Sequence, residues 1–355
     1  MSRAIFIPRD GLHPVLDRLS AEMDVWVPVA SGPQKCGGEF VRYVPGTVPV
    51  LERQSTTPPK RILLPQVESL LSYAYVKDPE DASRVKINLQ AEIAAKPTVV
   101  FGARPCDVRG FLLFDRVFTG GPFQDEYYRK RRENTFFATL VCRQWDAACF
   151  CSSVGSGPAD MEGSDLRLTP LEDGFLVEAI NRRAHPILKL MGGEQPTKTQ
   201  LEAAENLQKE TTEEQVGTGD LTHSGDDFRG RFEDLEYWRS MVSQCISCGV
   251  CTFVCPTCYC FSITDEMQGL EGERLRSWDS CMFYQYTLEA SGHNPRPSKF
   301  ERYRNRIGHK FSFIPAKYAG MIGCCGCGRC IRSCPVSIDI RKVVENLKEN
   351  ACACS

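Results

Sequence analysis

The chain has 355 residues, a formal net charge of −2 at neutral pH and 19 cysteines. Its length exceeds that of a compact ferredoxin and predicts two domains, while its near-zero charge argues against a general role in binding nucleic acid or an anionic membrane. Because no secretory signal or membrane span is recognisable, we expect a cytoplasmic protein whose cysteines stay reduced and bind metal.

Residues 1–193 are predicted to form an α/β domain, because short runs of branched and aromatic residues alternate with amphipathic segments. The expected strands are 25–29, 61–64, 98–102, 135–142 and 175–180, and the expected helices are 108–118 and 125–132. This part of the chain contains no GxGxxG, P-loop or GxSxG motif. We therefore expect the chain to bind neither NAD(P) nor flavin.

The remaining chain predicts an α+β protein whose second domain is all-helical. Residues 194–236 are acidic and polar, which favours an exposed helix-plus-loop linker; docking of a basic partner is the functional alternative. Residues 237–355 are expected to form a helical dicluster ferredoxin-like domain, with helices at 232–243 and 338–350 and a loose tail at 351–355. The sequence between its two cysteine runs also has helical composition.

Two cysteine runs with the same spacing dominate this C-terminal part. Cys245-x2-Cys248-x2-Cys251-x3-Cys255 precedes Pro256, and Cys324-x2-Cys327-x2-Cys330-x3-Cys334 precedes Pro335. This spacing is typical of bacterial ferredoxins, in which three close thiolates hold one 4Fe-4S cubane and the fourth binds the other. Zinc is the alternative metal. A radical-SAM loop, which the spacing of Cys251, Cys255 and Cys258 would also fit, leaves the second run unexplained.

The ferredoxin rule predicts that ligation crosses between the runs. The first group is Cys245, Cys248, Cys251 and Cys334, and the second group is Cys324, Cys327, Cys330 and Cys255. Each group is expected to hold one 4Fe-4S cluster. Cys325 belongs to neither group.

Four further cysteines suggest a third cluster in the N-terminal domain. This third group is Cys106, Cys142, Cys149 and Cys151. Cys106 follows one predicted strand and Cys142 ends the next, so parallel pairing would bring both to the same edge of the sheet, where α/β proteins build their sites. The spacing matches no standard cluster motif, and zinc binding or simple packing stays open.

Several longer motifs resemble the β subunits of cytoplasmic NiFe sulfhydrogenases and the A subunits of anaerobic sulfite reductases. They are RPCD at 104–107, CFC at 149–151, CISCGVCTFVCPTCYCFSITDE at 245–266, RSWDSCMF at 276–283, ERYRNRIGHKF at 301–311 and GCGRCIRSCP at 326–335. The resemblance implies an electron-transfer subunit between a flavoprotein that handles NAD(P)H, or a ferredoxin, and a catalytic redox subunit. It leaves the terminal reaction open among hydrogen, sulfite, polysulfide, heterodisulfide and formate chemistry.

Other residues leave a second class of function open. Cys258, Cys260 and Cys281 are either structural thiols or the active site of a reductase. The segment 296–310 is rich in cations, which either form a solvated helix face or offset the charge of clusters and acidic partners. Its cations are Arg296, Lys299, Arg302, Arg304, Arg306 and Lys310. His293 and His309 are expected to form hydrogen bonds rather than to bind metal.

Overall fold

The computed structural model describes residues 4–31, 37–81, 83–215 and 217–349. The strands are β1 (Ala4–Pro8), β2 (Asp24–Ser31), β3 (Gly37–Arg42), β4 (Val67–Lys77), β5 (Val85–Gln90), β6 (Thr98–Ala103), β7 (Thr135–Leu140), β8 (Leu166–Pro170), β9 (Gly174–Ala179), β10 (Phe261–Gln268) and β11 (Glu271–Trp278). The α-helices are α1 (Leu12–Glu22), α2 (Pro105–Phe118), α3 (Glu126–Glu133), α4 (His185–Met191), α5 (Lys198–Glu214), α6 (Gly225–Gly230), α7 (Leu235–Val242), α8 (Val250–Phe253), α9 (Lys299–Gly308), α10 (Ile314–Lys317), α11 (Arg329–Arg332) and α12 (Ile340–Glu349). Asn350 and the predicted tail at 351–355 lie outside the described residues.

Seven strands form a sheet in the order β1-β9-β8-β7-β6-β2-β3. Strands β2, β6, β7 and β8 pair in parallel, and β1, β3 and β9 join in antiparallel fashion. All six residues of β6 are buried, as expected for a parallel strand covered on both faces. The prediction of an α/β fold for the N-terminal part is thus confirmed.

Helices cover both faces of this sheet. Helices α1 and α4 pack with one face around Leu16 and Met191, and α2 and α3 cover the other through an aromatic cluster. In that cluster the rings of Phe111 and Phe137 stack with centroids 4.8 Å apart. Because β6 and β7 are parallel neighbours, the segments that follow them begin at the same edge of the sheet.

The strand predicted at 61–64 is wrong. A 3-10 turn spans Pro59–Ile62, and Leu63 and Leu64 after it are buried. Proline fixes φ near the helical value and lacks a backbone donor, so a proline at the first position favours a helical turn over a strand.

The all-helical prediction for the C-terminal part is also wrong. Residues 261–278 form the hairpin β10–β11, which joins β4 and β5 in an antiparallel sheet of order β10-β11-β4-β5. Two strands of this sheet come from the N-terminal half and two from the C-terminal half. This sheet therefore takes strands from both sides of the predicted linker. The predicted domain limits stay a prediction.

The segment 194–236 combines exposed and buried parts. Helix α5 is largely exposed, as a linker would be, but Phe228 of α6 is buried with its ring 5.8 Å from that of Trp238 in α7. Helices α6, α7, α9 and α12 enclose one core beside the cysteine runs. The helices predicted at both ends of this half are present as α7 and α12.

Candidate metal centres

The two cysteine runs adopt matching backbone conformations. Each leads into a one-turn helix, α8 or α11, through a glycine in the left-handed region: φ is 75° at Gly249 and 72° at Gly328. The residue before the second cysteine is also left-handed in both runs, with φ of 57° at Ser247 and 63° at Gly326. Such conformations are open to glycine and strained for most other residues, and at these positions they turn each run into a tight loop.

The first group lies around one cavity. Cys245, Cys248 and Cys251 line it from the first run, and Cys334 lines it from the second. The Ser247 amide donates to Cys245 Sγ at 3.4 Å, and the amide of Ile338 donates to Cys334 Sγ at 3.3 Å. Backbone N–H groups of both runs thus point at sulfur atoms of this group.

The second group is buried deeper. Cys255, Cys324 and Cys327 are each less than 10% exposed. Burial raises the pKa of Cys330 to about 12, and the charges of Cys327, Cys255 and Cys324 act in the same direction. A hydrogen bond from Cys258, together with the Lys310 ammonium, lowers the pKa of Cys255 well below its ordinary value against the effect of burial.

Three buried cations surround these thiols. Lys60, Arg306 and Lys310 are at most 3% exposed. Lys310 Nζ lies 3.3 Å from Cys255 Sγ and also donates to Thr257 Oγ1 and to the Gly323 carbonyl. Lys60 Nζ donates to the carbonyl oxygens of Thr252 and Cys258, each at 3.0 Å, and the Arg306 guanidinium approaches the Cys251 carbonyl at 3.5 Å.

These cations favour an anionic occupant. Within the described residues, no carboxylate forms an ion pair with any of the three. Burial by itself lowers the pKa of Arg306, but Cys251 and Cys330 raise it well above its ordinary value. An isolated buried cation is costly unless an anion compensates it, and a cubane held by four thiolates carries net negative charge. The donor set and its surroundings therefore fit 4Fe-4S clusters.

The third group also lies around one cavity. Cys106, in the first turn of α2, and Cys142, just after β7, meet there as the parallel strands predict, and the loop after β7 folds back to add Cys149 and Cys151. Gln54 Nε2 donates to Cys106 Sγ at 3.0 Å. Burial, followed by the thiols of Cys142 and Cys149, raises the pKa of Cys151 to about 12.

The third group adjoins the second. Gly326 and Cys327 line the same cavity as the third group, and the Phe150 amide donates to the Gly326 carbonyl at 2.8 Å. A Cβ at Gly326 would lie 2.5 Å from the backbone of Cys151. Glycine is required here because the N-terminal loop packs directly on the second cysteine run.

Contacts between the two halves of the chain hold these groups in place. Arg329, next to Cys330, lies 2.7 Å from the Asp107 carboxylate of α2, and both side chains are almost fully buried. Lys60 crosses to the loop after the first run and stacks 4.3 Å from the centre of the Trp278 ring. The roles of Lys60 and Asp107 were not predicted from the sequence. Asp107 could have been noticed as the acidic residue of the RPCD motif, whereas no local pattern marks Lys60.

The remaining candidates take secondary positions. Cys258 lowers the pKa of Cys255, and Cys281 lowers the pKa of Cys260 to about 6. His309 Nε2 lies 3.2 Å from the Tyr259 hydroxyl, in keeping with the expected hydrogen-bonding role. No three His, Cys, Asp or Glu side chains among the described residues are placed to share a single metal ion. A cubane differs in this respect, because each of its irons binds a separate thiolate.

Comparison with known proteins identifies the family. Residues 244–338 match the family described as a 4Fe-4S dicluster domain. The chain is 34% identical over 253 residues to sulfhydrogenase 2 subunit beta of Pyrococcus furiosus, an alignment that covers 71% of this chain and 74% of the relative. The chain belongs to the sulfhydrogenase β-subunit family. As a member of that family it is an iron–sulfur electron-transfer protein with 4Fe-4S clusters, as the resemblance implied.

Two negative findings complete the comparison. No solved structure matches this sulfhydrogenase β-type chain. None of the helices formed by the described residues is both long and apolar enough to cross a membrane.

Proposed function

We propose that the chain passes electrons between a flavoprotein subunit that handles NAD(P)H, or a ferredoxin, and a catalytic redox subunit of the hydrogenase type in the cytoplasm. The observation that supports this proposal best is that the three groups of thiols lie next to one another. Cys330 of the second group also lines the cavity of the first, and Cys327 of the second group also lines that of the third. The second group therefore lies between the other two, in the order that a relay requires.

In this proposal the first and second groups each hold one 4Fe-4S cluster with crossed ligation. A cluster so ligated supplies one-electron exchange and offers no open iron to a substrate. The protein contributes the buried cations, which stabilise the added negative charge on reduction, and a wall of apolar side chains that excludes water. Tyr303 and Met282 belong to that wall around the first group.

The third group is proposed to hold a further 4Fe-4S cluster in the full chain. The double variant Cys106→Ser/Cys142→Ser is expected to lower the iron content from about twelve to about eight atoms, since each cubane holds four. Iron analysis of anaerobically purified protein measures this change. Cys325→Ser is the matched control, because Cys325 is a buried cysteine outside the three groups.

Eight irons in the unaltered chain, with no change in the double variant, would exclude the third cluster. The experiment needs the full chain. A fragment ending near residue 190 would lack Gln215, to which the Cys151 thiol donates at 3.3 Å, and Gly326.

The absence of a nucleotide site on this chain is part of the proposal. Helix α2 follows β6, the position where a dinucleotide fold would place a pyrophosphate. Here the Asp107 carboxylate accepts a hydrogen bond from the Arg104 amide at 3.0 Å, and the Cys106 thiol lies beside it. This carboxylate already occupies an amide at the helix end where a phosphate group would bind.

The isolated chain is therefore expected to contain no flavin and to show no NAD(P)H-dependent dye reduction, and addition of the flavoprotein subunit is expected to produce that activity. The assay uses viologen reduction under anoxic conditions, and the flavin is measured by its absorbance after acid release. Dye reduction by the pure chain with NADH or NADPH would contradict the proposed division of labour.

A further inference from the structure

An arginine lies between the second and third groups. Arg332 is the last residue of the one-turn helix α11, which also contains Cys330 of the second group. Nη2 of its guanidinium donates to the carbonyl oxygen of Cys327 at 3.2 Å, and Nη1 approaches Cys149 Sγ at 3.8 Å. Arg332 is therefore in contact with both groups at the place where they adjoin.

Two further side chains hold this guanidinium in place. The Asp146 carboxylate accepts a hydrogen bond from Nη1 of Arg332 at 2.6 Å, and the amide oxygen of Gln54 accepts one from Nη2. Because the oxygen of Gln54 faces Arg332, its amide nitrogen faces Cys106 Sγ, to which it donates at 3.0 Å. Arg332 thus places a donor at one sulfur of the third group directly and orients the donor at another.

The side chain of Arg332 lies at an open side of the third group. It is 31% exposed and borders a cleft of about 410 Å³, which Cys142 and Cys149 of the third group also line. A shorter side chain at this position would widen the cleft and would leave no void in a core. Arg332 can therefore be replaced without loss of the fold.

We propose that Arg332 raises the reduction potential of the 4Fe-4S cluster bound by the third group. Reduction adds one electron, supplied by the cluster of the second group, and no bond forms or breaks. A cation and hydrogen-bond donors beside the ligand sulfurs stabilise the added negative charge. The Asp146 carboxylate offsets part of this effect, because it pairs with the same guanidinium. The inference rests on the proposed function, since it requires the third cluster.

A higher potential at the third group gives the relay a direction. The second group lies between the other two, so electrons that reach it move on to the third only if the third cluster accepts them readily. A cation between the second and third clusters also lessens the repulsion between electrons held on both. The third group is then the end of the relay that retains electrons, and the cleft beside it is the side from which a redox partner can reach it.

Potentiometric titration of the anaerobic holoprotein, followed by electron paramagnetic resonance, measures this effect. The third cluster is the component that Cys106→Ser/Cys142→Ser lacks. In Arg332→Gln the ratio of reduced to oxidised third cluster at a fixed potential is expected to fall about tenfold, which corresponds to about 59 mV for one electron. The cluster of the first group should keep its potential and serves as the internal reference.

Two variants distinguish a change of charge from damage to the site. Asp146→Asn removes the negative charge beside Arg332 and is expected to raise the same potential. Its remaining side-chain oxygen can still accept the hydrogen bond that Asp146 Oδ1 accepts from the Ala148 amide at 2.8 Å. Arg332→Lys keeps a positive charge and should restore part of the potential that Arg332→Gln loses. Damage to the loop would lower iron content in all three variants and would not give shifts of opposite sign.

Arg341→Gln is the matched control. Arg341 donates to the carbonyl oxygen of Ala147 at 2.6 Å, in the loop that carries Cys149, but its other hydrogen bonds go to the Asp339 carboxylate. Its charge is therefore offset by that carboxylate and touches no sulfur of the third group. The potential of the third cluster should stay nearly unchanged in this variant.

The two proposals fail separately in this design. An unaltered third-cluster potential in Arg332→Gln, or a shift in the same direction in Asp146→Asn, would overturn the inference alone. Loss of the third cluster from Arg332→Gln would also overturn it, because Arg332 would then be needed for assembly. An unaltered chain with only about eight irons, the content of two cubanes, would overturn the third cluster of the proposed function together with this inference.

Discussion

Cys255→Ser is expected to remove about four iron atoms per chain, the content of one cubane, although Cys255 lies in the first cysteine run. The reason is its position. Cys255 is buried with the thiols of the second run, where Lys310 Nζ approaches its sulfur at 3.3 Å, whereas Cys334 of the second run lines the cavity of the first group. Iron analysis combined with spectra of the dithionite-reduced protein shows which cluster is lost.

Two further variants make this test sharper. Cys258 follows Cys255 by three residues and acts on the pKa of its thiol, so Cys255→Ser/Cys258→Ser excludes rescue by this neighbouring thiol. Cys325→Ser is the control. Its side chain is buried outside the three groups, and serine is close to it in size, so iron should stay unchanged. Loss of the first group's cluster in Cys255→Ser, or loss of iron in Cys325→Ser, would contradict the crossed assignment.

Asp107→Ala is expected to lower the free energy of unfolding by about 3–5 kcal/mol, the usual cost of leaving a buried charge without its partner. The Asp107 and Arg329 side chains are 1% and 0% exposed, and the pair joins α2 to the second cysteine run. Neither of the two paired atoms has an aligned hydrogen bond, so the contact is mainly electrostatic. Arg329 would keep its hydrogen bonds to the carbonyl and the hydroxyl of Ser55.

Guanidinium unfolding followed by circular dichroism under anoxia measures this cost. Asp265→Ala is the control, because Asp265 pairs with Arg274 on the exposed hairpin and solvent-exposed ion pairs contribute little to stability. The double variant Asp107→Leu/Arg329→Met should be more stable than Asp107→Ala, since it leaves no buried charge unpaired. Equal stability of Asp107→Ala and the Asp265 control would show that the buried pair does not hold the two halves together.

The prediction of strands and helices succeeded where burial leaves a periodic pattern. Strand β6 was visible as TVVFG because both of its faces are buried. The hairpin β10–β11 was predicted to be helical because six of the eight residues of β10 are exposed, so its sequence carries charges rather than alternation. Its backbone partners come from β4, almost two hundred residues earlier, and no local pattern reports such a pairing.

For the candidate sites too, some features follow from the sequence and others only from the tertiary structure. The sequence by itself determined the two cysteine runs, because a loop that wraps three corners of a cubane needs thiolates at short, regular intervals. It also indicated that Cys106 and Cys142 meet, because parallel strands present their carboxyl ends at one edge of the sheet.

Only the tertiary structure decided where the cations lie. Arg302, Arg306 and Lys310 recur every four residues along α9 and the turn that follows it, a spacing that equally suits a solvated face. In the fold all three are buried, and Lys60 joins them from the other half of the chain. The physical reason is charge compensation: buried thiolates need nearby cations, and those cations are brought together by packing between segments that are distant in sequence.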